Sequence, residues 1–184
     1  GGVQWMTAGR GIVHSELPEQ ENGLMHGFQL WVNLPARDKL TAPAYRDLPA
    51  ESIPGYAAGD GVAVKVIAGA SGGVAGAVQR AATEPLYLDI ALPAGVTHRA
   101  AIPAGHNAFL YVYAGRVEVG ERGEPVAARQ LAVLANTPGS DGVLLRGTEE
   151  SRLLLIAGRP LHEPIAQWGP FVMNHREEIE EALA

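Results

Sequence analysis

The second half of the chain alternates apolar and polar residues in many short segments. A period of two places one face of a β-strand toward a core and the other toward water. Glycines separate these segments, as they do at turns between short strands. The pattern therefore predicts seven strands, at 86–91, 97–102, 107–113, 116–119, 130–134, 142–145 and 153–157.

The first third of the chain holds two more alternating segments, 12–16 and 28–34. Turn-forming residues from Pro18 to Gly23 lie between them and predict a loop, so we expect the two strands to form a hairpin. Prolines recur throughout the segment 35–60 and exclude long helices and central strands from it. We expect this segment to be an extended connector, followed by a strand at 62–67.

The last residues follow a different pattern. Asn174 precedes Glu177 by three positions, which is the spacing of a helix-capping box. Ile179 and Leu183 are four residues apart and would form one apolar stripe. The sequence predicts a short helix over 175–183 after an otherwise all-β chain, and short strands at this spacing are typical of a sandwich or a barrel.

Composition narrows the class of protein. Of 184 residues, 47% are hydrophobic and 18% are charged, so the chain can bury a core and is not disordered. The net charge of -6 argues against binding nucleic acid or anionic membranes, since phosphates require a basic partner. No apolar run approaches the roughly 20 residues that span a bilayer. We expect a cytoplasmic protein, and the 12 arginines against 2 lysines favour a bacterial source.

His14 and Glu16 are the residues most suited to chemistry. Side chains two positions apart on a strand point to the same face, so the predicted strand would direct an imidazole and a carboxylate into one space. Nitrogen and oxygen donors of this kind suit a divalent transition metal. The alternative is an exposed histidine beside a solvated glutamate, and two ligands alone are too few for such a site.

Four motifs resemble signatures of the pirin family and occur in the family's order over essentially the whole chain. The first is the run Gly-Gly-Val-Gln-Trp-Met-Thr-Ala-Gly-Arg-Gly-Ile-Val-His-Ser-Glu at 1–16. The others are His-Gly-Phe-Gln-Leu-Trp-Val-Asn-Leu-Pro at 26–35, Leu-Ile-Ala-Gly-Arg-Pro-Leu at 155–161 and Gly-Pro-Phe-Val-Met-Asn at 169–174.

This resemblance implies a bicupin, in which two double-stranded β-helix barrels share one chain. Residues 1–47 would be the last strands of an N-terminal, metal-binding cupin, and 56–184 would be a complete C-terminal cupin. The family pattern supplies four ligands to one divalent metal ion, for which we expect iron (Fe2+). Two come from a His-x-His segment that has no counterpart here, so we expect the natural protein to begin upstream. The other two correspond to His14 and Glu16.

The resemblance implies no metal site in the second barrel, where the corresponding stretch contains a single histidine, His106. We expect His106 and His98 to flank a turn and to be exposed. His26 is interpreted as a packing residue or as a hydrogen-bond donor behind the metal ligands. Gln29 would line the cavity of the first barrel or face the solvent.

The resemblance also implies an activity. Some pirins are quercetin (flavonol) 2,3-dioxygenases, in which a metal ion holds a small aromatic substrate and O2 opens its ring. Glu16 would then be catalytic as the acceptor of the substrate's hydroxyl proton. The alternative is a metal- or redox-responsive regulator that binds a transcription factor or a metabolic enzyme. A third possibility is that this chain, with half of a metal site, is inactive by itself.

Overall fold

A computed structural model describes residues 1–17 and 21–183. The described chain is mostly β-structure, with two 3-10 turns at Ala36–Asp38 and Ala50–Ser52 and one helix, α1, at Arg176–Leu183. The strands within these residues are β1 Val3–Thr7, β2 Ala44–Leu48, β3 Gly55–Ala57, β4 Ala63–Ala68, β5 Ala70–Ser71, β6 Val74–Ala75, β7 Leu86–Leu92, β8 Thr97–Ala101, β9 Asn107–Ala114, β10 Arg116–Val119, β11 Glu124–Ala127, β12 Gln130–Leu134, β13 Gly142–Gly147, β14 Ser151–Gly158, β15 Ala166–Trp168 and β16 Phe171–Met173.

Two antiparallel sheets enclose the main core. The larger has the strand order β12-β9-β14-β7-β4-β3, and the smaller has the order β11-β10-β13-β8. Buried side chains from both sheets belong to one hydrophobic cluster. Two short sheets packed face to face in this way form the cupin barrel, which the sequence motifs predicted. Three further two-stranded sheets pair β1 with β2, β5 with β6 and β15 with β16.

The centre of this core follows from the alternation along the strands. In β7, Leu86, Leu88, Ile90 and Leu92 are buried, and the residues between them are half-exposed. Leu155 of β14 lies opposite Leu88 on one side and Leu110 of β9 on the other, and all three are 0% exposed. Burial of one such leucine stabilises the fold by roughly 1.5–3 kcal/mol.

The predicted strands of the second half are confirmed. All seven are present with ends within two residues of the predicted ends, and the strand expected at 62–67 is β4. The sequence pattern missed β11, because Pro125 cannot donate a ladder hydrogen bond and argued against a strand. The structure accommodates Pro125 because β11 is the outer strand of the four-stranded sheet.

The hairpin predicted near the N-terminus is wrong. Residues 12–16 and 28–34 form no regular strand, although both are described. Alternation makes a strand only where a neighbouring strand receives its backbone hydrogen bonds, and neither segment has such a partner among residues 1–17 and 21–183. Of the loop expected at 18–23, residues 18–20 lie outside the described chain, and residues 21–23 form a bend.

The connector is more structured than expected, and the helix is capped by a different residue. The segment 35–60 contains β2, β3 and both 3-10 turns.

Helix α1 begins one residue later than predicted, so its third residue is Glu178 and not Glu177. The Glu178 carboxylate accepts the N–H groups of His175 at 2.8 Å and Asn174 at 2.9 Å. Of the predicted stripe, Ile179 is buried but Leu183 is 52% exposed.

Contacts divide the described chain into two compact units. One comprises 1–4 and 47–161, which includes both large sheets, and the other comprises 5–17, 21–46 and 162–183. None of the helices in the described part has the length and hydrophobicity needed to span a bilayer.

Truncation of the central leucine tests where the stability resides. We expect Leu155→Ala to lower the free energy of unfolding by about 2–5 kcal/mol, because it leaves a cavity between three strands. Leu131→Ala in β12 is the matched control, because Leu131 is 54% exposed and should change stability by less than about 0.5 kcal/mol. Urea denaturation measures both values. Similar losses in the two variants would contradict this description of the core.

Candidate metal centre

His14 and Glu16 lie in the irregular segment that follows β1, and both are exposed. The strand on which their common orientation was predicted does not form. Their role as metal ligands therefore stays a prediction, based on the residue types and on the resemblance.

Gln29 is the residue that the structure adds to this site. Its side-chain amide nitrogen Nε2 donates to Glu16 Oε2 at 3.2 Å and lies 3.5 Å from Oε1. The two residues are 13 positions apart in sequence, and the sequence pattern did not predict that they would be in contact. An amide that holds a carboxylate fixes the direction of its remaining lone pairs, which is how residues behind a metal ligand act.

His26 packs against an aromatic ring. Its imidazole centroid lies 5.3 Å from the Phe28 ring centroid at an interplanar angle of 58°. This tilted contact is a common geometry for two rings. It agrees with the packing interpretation of His26.

The donors fit a divalent metal in kind but not in number. An imidazole nitrogen and a carboxylate oxygen are suitable ligands for iron, manganese, nickel or copper. Within residues 1–17 and 21–183, however, no group of three or more histidine, aspartate or glutamate side chains is placed to hold one ion. His14 and Glu16 can supply at most part of a coordination sphere.

A buried lysine anchors the segment that follows Gln29. Lys39 is only 6% exposed, and its Nζ donates to Asn33 Oδ1 at 2.7 Å and to Val172 O at 3.1 Å. Burial lowers the pKa of Lys39, and the carboxylates of Glu163 and Glu178 oppose that shift. A buried ammonium is tolerated only with such partners. Sequence analysis missed this residue, although it is one of two lysines in a chain of arginines.

Glu163 completes the polar cluster around Lys39. Its Oε2 accepts the backbone N–H of Ala36 at 2.7 Å and the side-chain amide of Asn174 at 3.0 Å. Because Ala36 precedes Lys39 and Asn174 precedes α1, these bonds join residues 33–39 to the C-terminal segment. The pirin-like motifs at 26–35 and 169–174 thus meet in one hydrogen-bonded cluster.

The prediction that His98 and His106 are exposed is wrong. His106 is 8% exposed, and its Nε2 lies 3.6 Å from Glu84 Oε2. His98 is half-buried in β8, and burial lowers its pKa. The period-two alternation of β8 includes His98, and that of β9 extends back to His106, so both positions face inward. Turn-forming residues nearby had suggested exposed loop positions instead.

Comparison with known families matches both ends of the chain. A family profile described as "Pirin C-terminal cupin domain" matches residues 87–184, and a second, described as "Pirin", matches residues 1–32.

Individual relatives agree with these matches. A Pseudomonas aeruginosa protein provisionally named quercetin 2,3-dioxygenase is 53% identical over 189 residues, covering 100% of this chain and 65% of its own length. A pirin-like protein of Caulobacter vibrioides is 48% identical, with coverages of 100% and 65%. Human pirin is 42% identical, with coverages of 100% and 62%. The chain therefore spans a little under two thirds of these relatives.

Solved structures show the same architecture. Quercetin 2,3-dioxygenase from Acinetobacter baumannii superposes with a TM-score of 0.83 at 30% identity, covering 100% of this chain and 64% of that one. A Geobacillus kaustophilus protein superposes with a TM-score of 0.81 at 34% identity, covering 89% of this chain and 66% of that one.

The cap of α1 should make stability depend on pH. Hydrogen bonds from His175 and Asn174 hold the pKa of Glu178 below its ordinary value of 4.5. A carboxylate with a depressed pKa stabilises the fold above that ordinary value, and the contribution is lost as the pH falls through the folded-state pKa. We expect Glu178→Gln to lower the Tm at pH 7, and the difference from the wild type to disappear as the pH falls through the folded-state pKa of Glu178.

Glu177→Gln is the matched control for this experiment. Glu177 is the neighbouring residue in the same helical turn and is exposed. Thermal melts followed by circular dichroism should show a much smaller change for Glu177→Gln at pH 7. Equal effects of the two substitutions would mean that general helix electrostatics, and not the cap, is responsible.

Proposed function

The chain belongs to the pirin family, and from this membership we propose that it is part of a metal-dependent dioxygenase of the quercetin 2,3-dioxygenase type. The observation that carries the proposal is the contact between Gln29 and Glu16, two positions from His14. A histidine beside an amide-held carboxylate is a usual part of a metal site. The provisional name of the Pseudomonas aeruginosa relative supports the same activity.

We propose His14 and Glu16 as two ligands of one metal ion, with iron (Fe2+) as the candidate. In this proposal residues 1–47 belong to a metal-binding cupin and residues 56–184 to a second cupin without a metal. The family pattern assigns the other two ligands to a His-x-His segment that this sequence does not contain. The cytoplasmic location also remains a prediction.

The proposed substrate is a small aromatic molecule with adjacent hydroxyl and carbonyl oxygens, as in a flavonol. A bound metal ion would supply Lewis acidity and a site for both substrate and O2. His14 would be a neutral nitrogen donor. Glu16 would accept the proton of the substrate hydroxyl on Oε1, because Oε2 is the oxygen closer to the Gln29 amide. Gln29 is a positioning residue that keeps the carboxylate in one orientation.

Substitution of the proposed ligands tests this assignment directly. In the natural protein that carries this sequence, we expect His14→Ala and Glu16→Gln each to lower the metal content and to reduce O2 uptake with quercetin. The loss should exceed the roughly 10–100-fold effect of residues behind a metal ligand. Metal analysis by mass spectrometry and an oxygen electrode provide the two readouts.

His175→Ala is the control, because His175 is an exposed histidine at the start of α1. If His14→Ala retained both metal and turnover, the ligand assignment would be wrong. If the metal-loaded wild type consumed no O2 with a flavonol, the dioxygenase proposal would be wrong. Metal-dependent capture of a partner protein would then favour the regulatory alternative.

Gln29 should affect metal affinity without being a ligand. We expect Gln29→Leu to weaken Fe2+ binding by about 10–100-fold, because the Glu16 carboxylate loses its fixed orientation. Gln29→Asn retains an amide but shortens its reach, so an intermediate loss is expected. Titration with a competing chelator measures the affinities. Wild-type affinity in Gln29→Leu would show that the amide does not position Glu16.

A further inference from the structure

An asparagine followed by a glycine lies between Glu16 and Gln29 in the sequence. Asn22 and Gly23 are both exposed and belong to a bend outside any regular secondary structure. Of the five asparagines in the chain, Asn22 is the only one that precedes a glycine. This order matters because the side chain of the following residue normally shields its backbone nitrogen, and glycine has no side chain.

No hydrogen bond restrains this pair within residues 1–17 and 21–183. The Asn22 side-chain amide has no partner there, and the Gly23 N–H donates to no carbonyl. Gly23 has a φ of 89°, and a Cβ added to it would meet no atom within 4 Å. The peptide therefore has space to rotate until the Gly23 nitrogen faces the side-chain carbon of Asn22.

The other four asparagines are held by hydrogen bonds. Asn33 Oδ1 accepts the Lys39 ammonium at 2.7 Å. Asn136 Nδ2 donates to Asn107 Oδ1 at 3.2 Å, so this bond restrains two asparagines at once. Asn174 is 7% exposed, and its side-chain amide donates two hydrogen bonds. A reaction at any of these four amides requires that a hydrogen bond first be broken.

From these observations we propose that Asn22 is a site of spontaneous deamidation. The Gly23 nitrogen attacks Cγ of Asn22, so that an N–Cγ bond forms and the Cγ–Nδ2 bond breaks. The proton of the Gly23 amide leaves with Nδ2 as ammonia. Water then opens the five-membered imide at either of its two carbonyl groups and gives aspartate or isoaspartate. The reaction consumes one water molecule and needs no oxidant, and it does not depend on the proposed dioxygenase activity.

The modification changes the charge and the length of the segment that joins Glu16 to Gln29. Either product adds one carboxylate, so the net charge of -6 becomes more negative by one. Isoaspartate also places Cβ in the backbone, which makes the segment one atom longer. Because the Gln29 amide contacts the Glu16 carboxylate at 3.2 Å, the longer segment is the one that connects two residues in contact.

Ageing of the natural protein that carries this sequence tests the proposal. Samples are kept warm in mildly acidic, neutral and mildly alkaline buffers, and fragment masses from a protease digest assign each conversion to one residue. We expect Asn22 to convert about tenfold faster than each of the other four asparagines, or faster still, because their hydrogen bonds must first break. The rate should rise with pH, because the Gly23 nitrogen attacks after losing its proton.

The same measurement in urea separates the effect of the fold from that of the dipeptide. Unfolding should accelerate conversion at Asn33, Asn107, Asn136 and Asn174, because their hydrogen bonds are lost. The rate at Asn22 should be nearly unchanged, because the folded chain does not restrain it.

Substitutions identify the two reacting groups. Gly23→Ala should slow the conversion several-fold, because its methyl group crowds the attacking nitrogen. Gly27→Ala is the matched control and should leave the rate unchanged, since Gly27 is an exposed glycine of the same segment with no atom within 4 Å of an added Cβ. Asn22→Gln should remove the early acidic form seen by ion exchange, because glutamine closes a six-membered ring much more slowly.

Three results would overturn the proposal. Conversion of Asn22 no faster than that of Asn136 would mean that the free amide gives no advantage. Strong acceleration of Asn22 in urea would mean that the folded chain protects it. An early acidic form that persists in Asn22→Gln would arise at another residue.

Discussion

Pairing of backbone hydrogen bonds between neighbouring strands is the constraint on which the rest of this structure depends. β7, β9 and β14 lie side by side in the larger sheet, so their backbones are satisfied while alternate leucines enter the core. Residues 12–16 have a similar alternation but no neighbouring strand in the described chain. Val13, in that segment, is 102% exposed. The same sequence pattern therefore gives a regular, buried strand in one place and an exposed, irregular segment in the other.

The sequence predicted the barrel well because its signal is local and repeated. Each strand from β7 to β14, apart from β11, has its own alternation and its own turn residues, so one wrong element would not have changed the fold class. The candidate site is less predictable, because its contacts join positions that are distant in sequence. The motifs identified His14 and Glu16 by resemblance, but only the structure places the Gln29 amide on the Glu16 carboxylate. Lys39 was missed for the same reason, since its partners Asn33 and Val172 lie on different segments.

The histidines show how residue type and environment combine. His14 is exposed and has a carboxylate two residues away, and its proposed role requires further ligands. His106 is buried beside a paired carboxylate, although its surrounding glycine and proline suggested a surface turn. Expectations based on family motifs concentrate on the first kind of residue. A buried nitrogen without a hydrogen bond costs free energy, and this cost marks the second kind of residue. The two histidines therefore differ in what their environments require of them.

The cluster around Lys39 has a consequence for the C-terminal segment. Val172 O, Glu163 and Glu178 are the partners that this segment contributes to the ammonium. If a protease removed the chain after Leu161, Asn33 would be the one hydrogen-bond partner left to Lys39 among the described residues, in a position from which water is excluded. The lysine would have to leave the interior, and residues 33–39 would have to refold around it. The segment that begins at His162 is thus an integral part of that unit, and a shortened product would be a different molecule from the one described above.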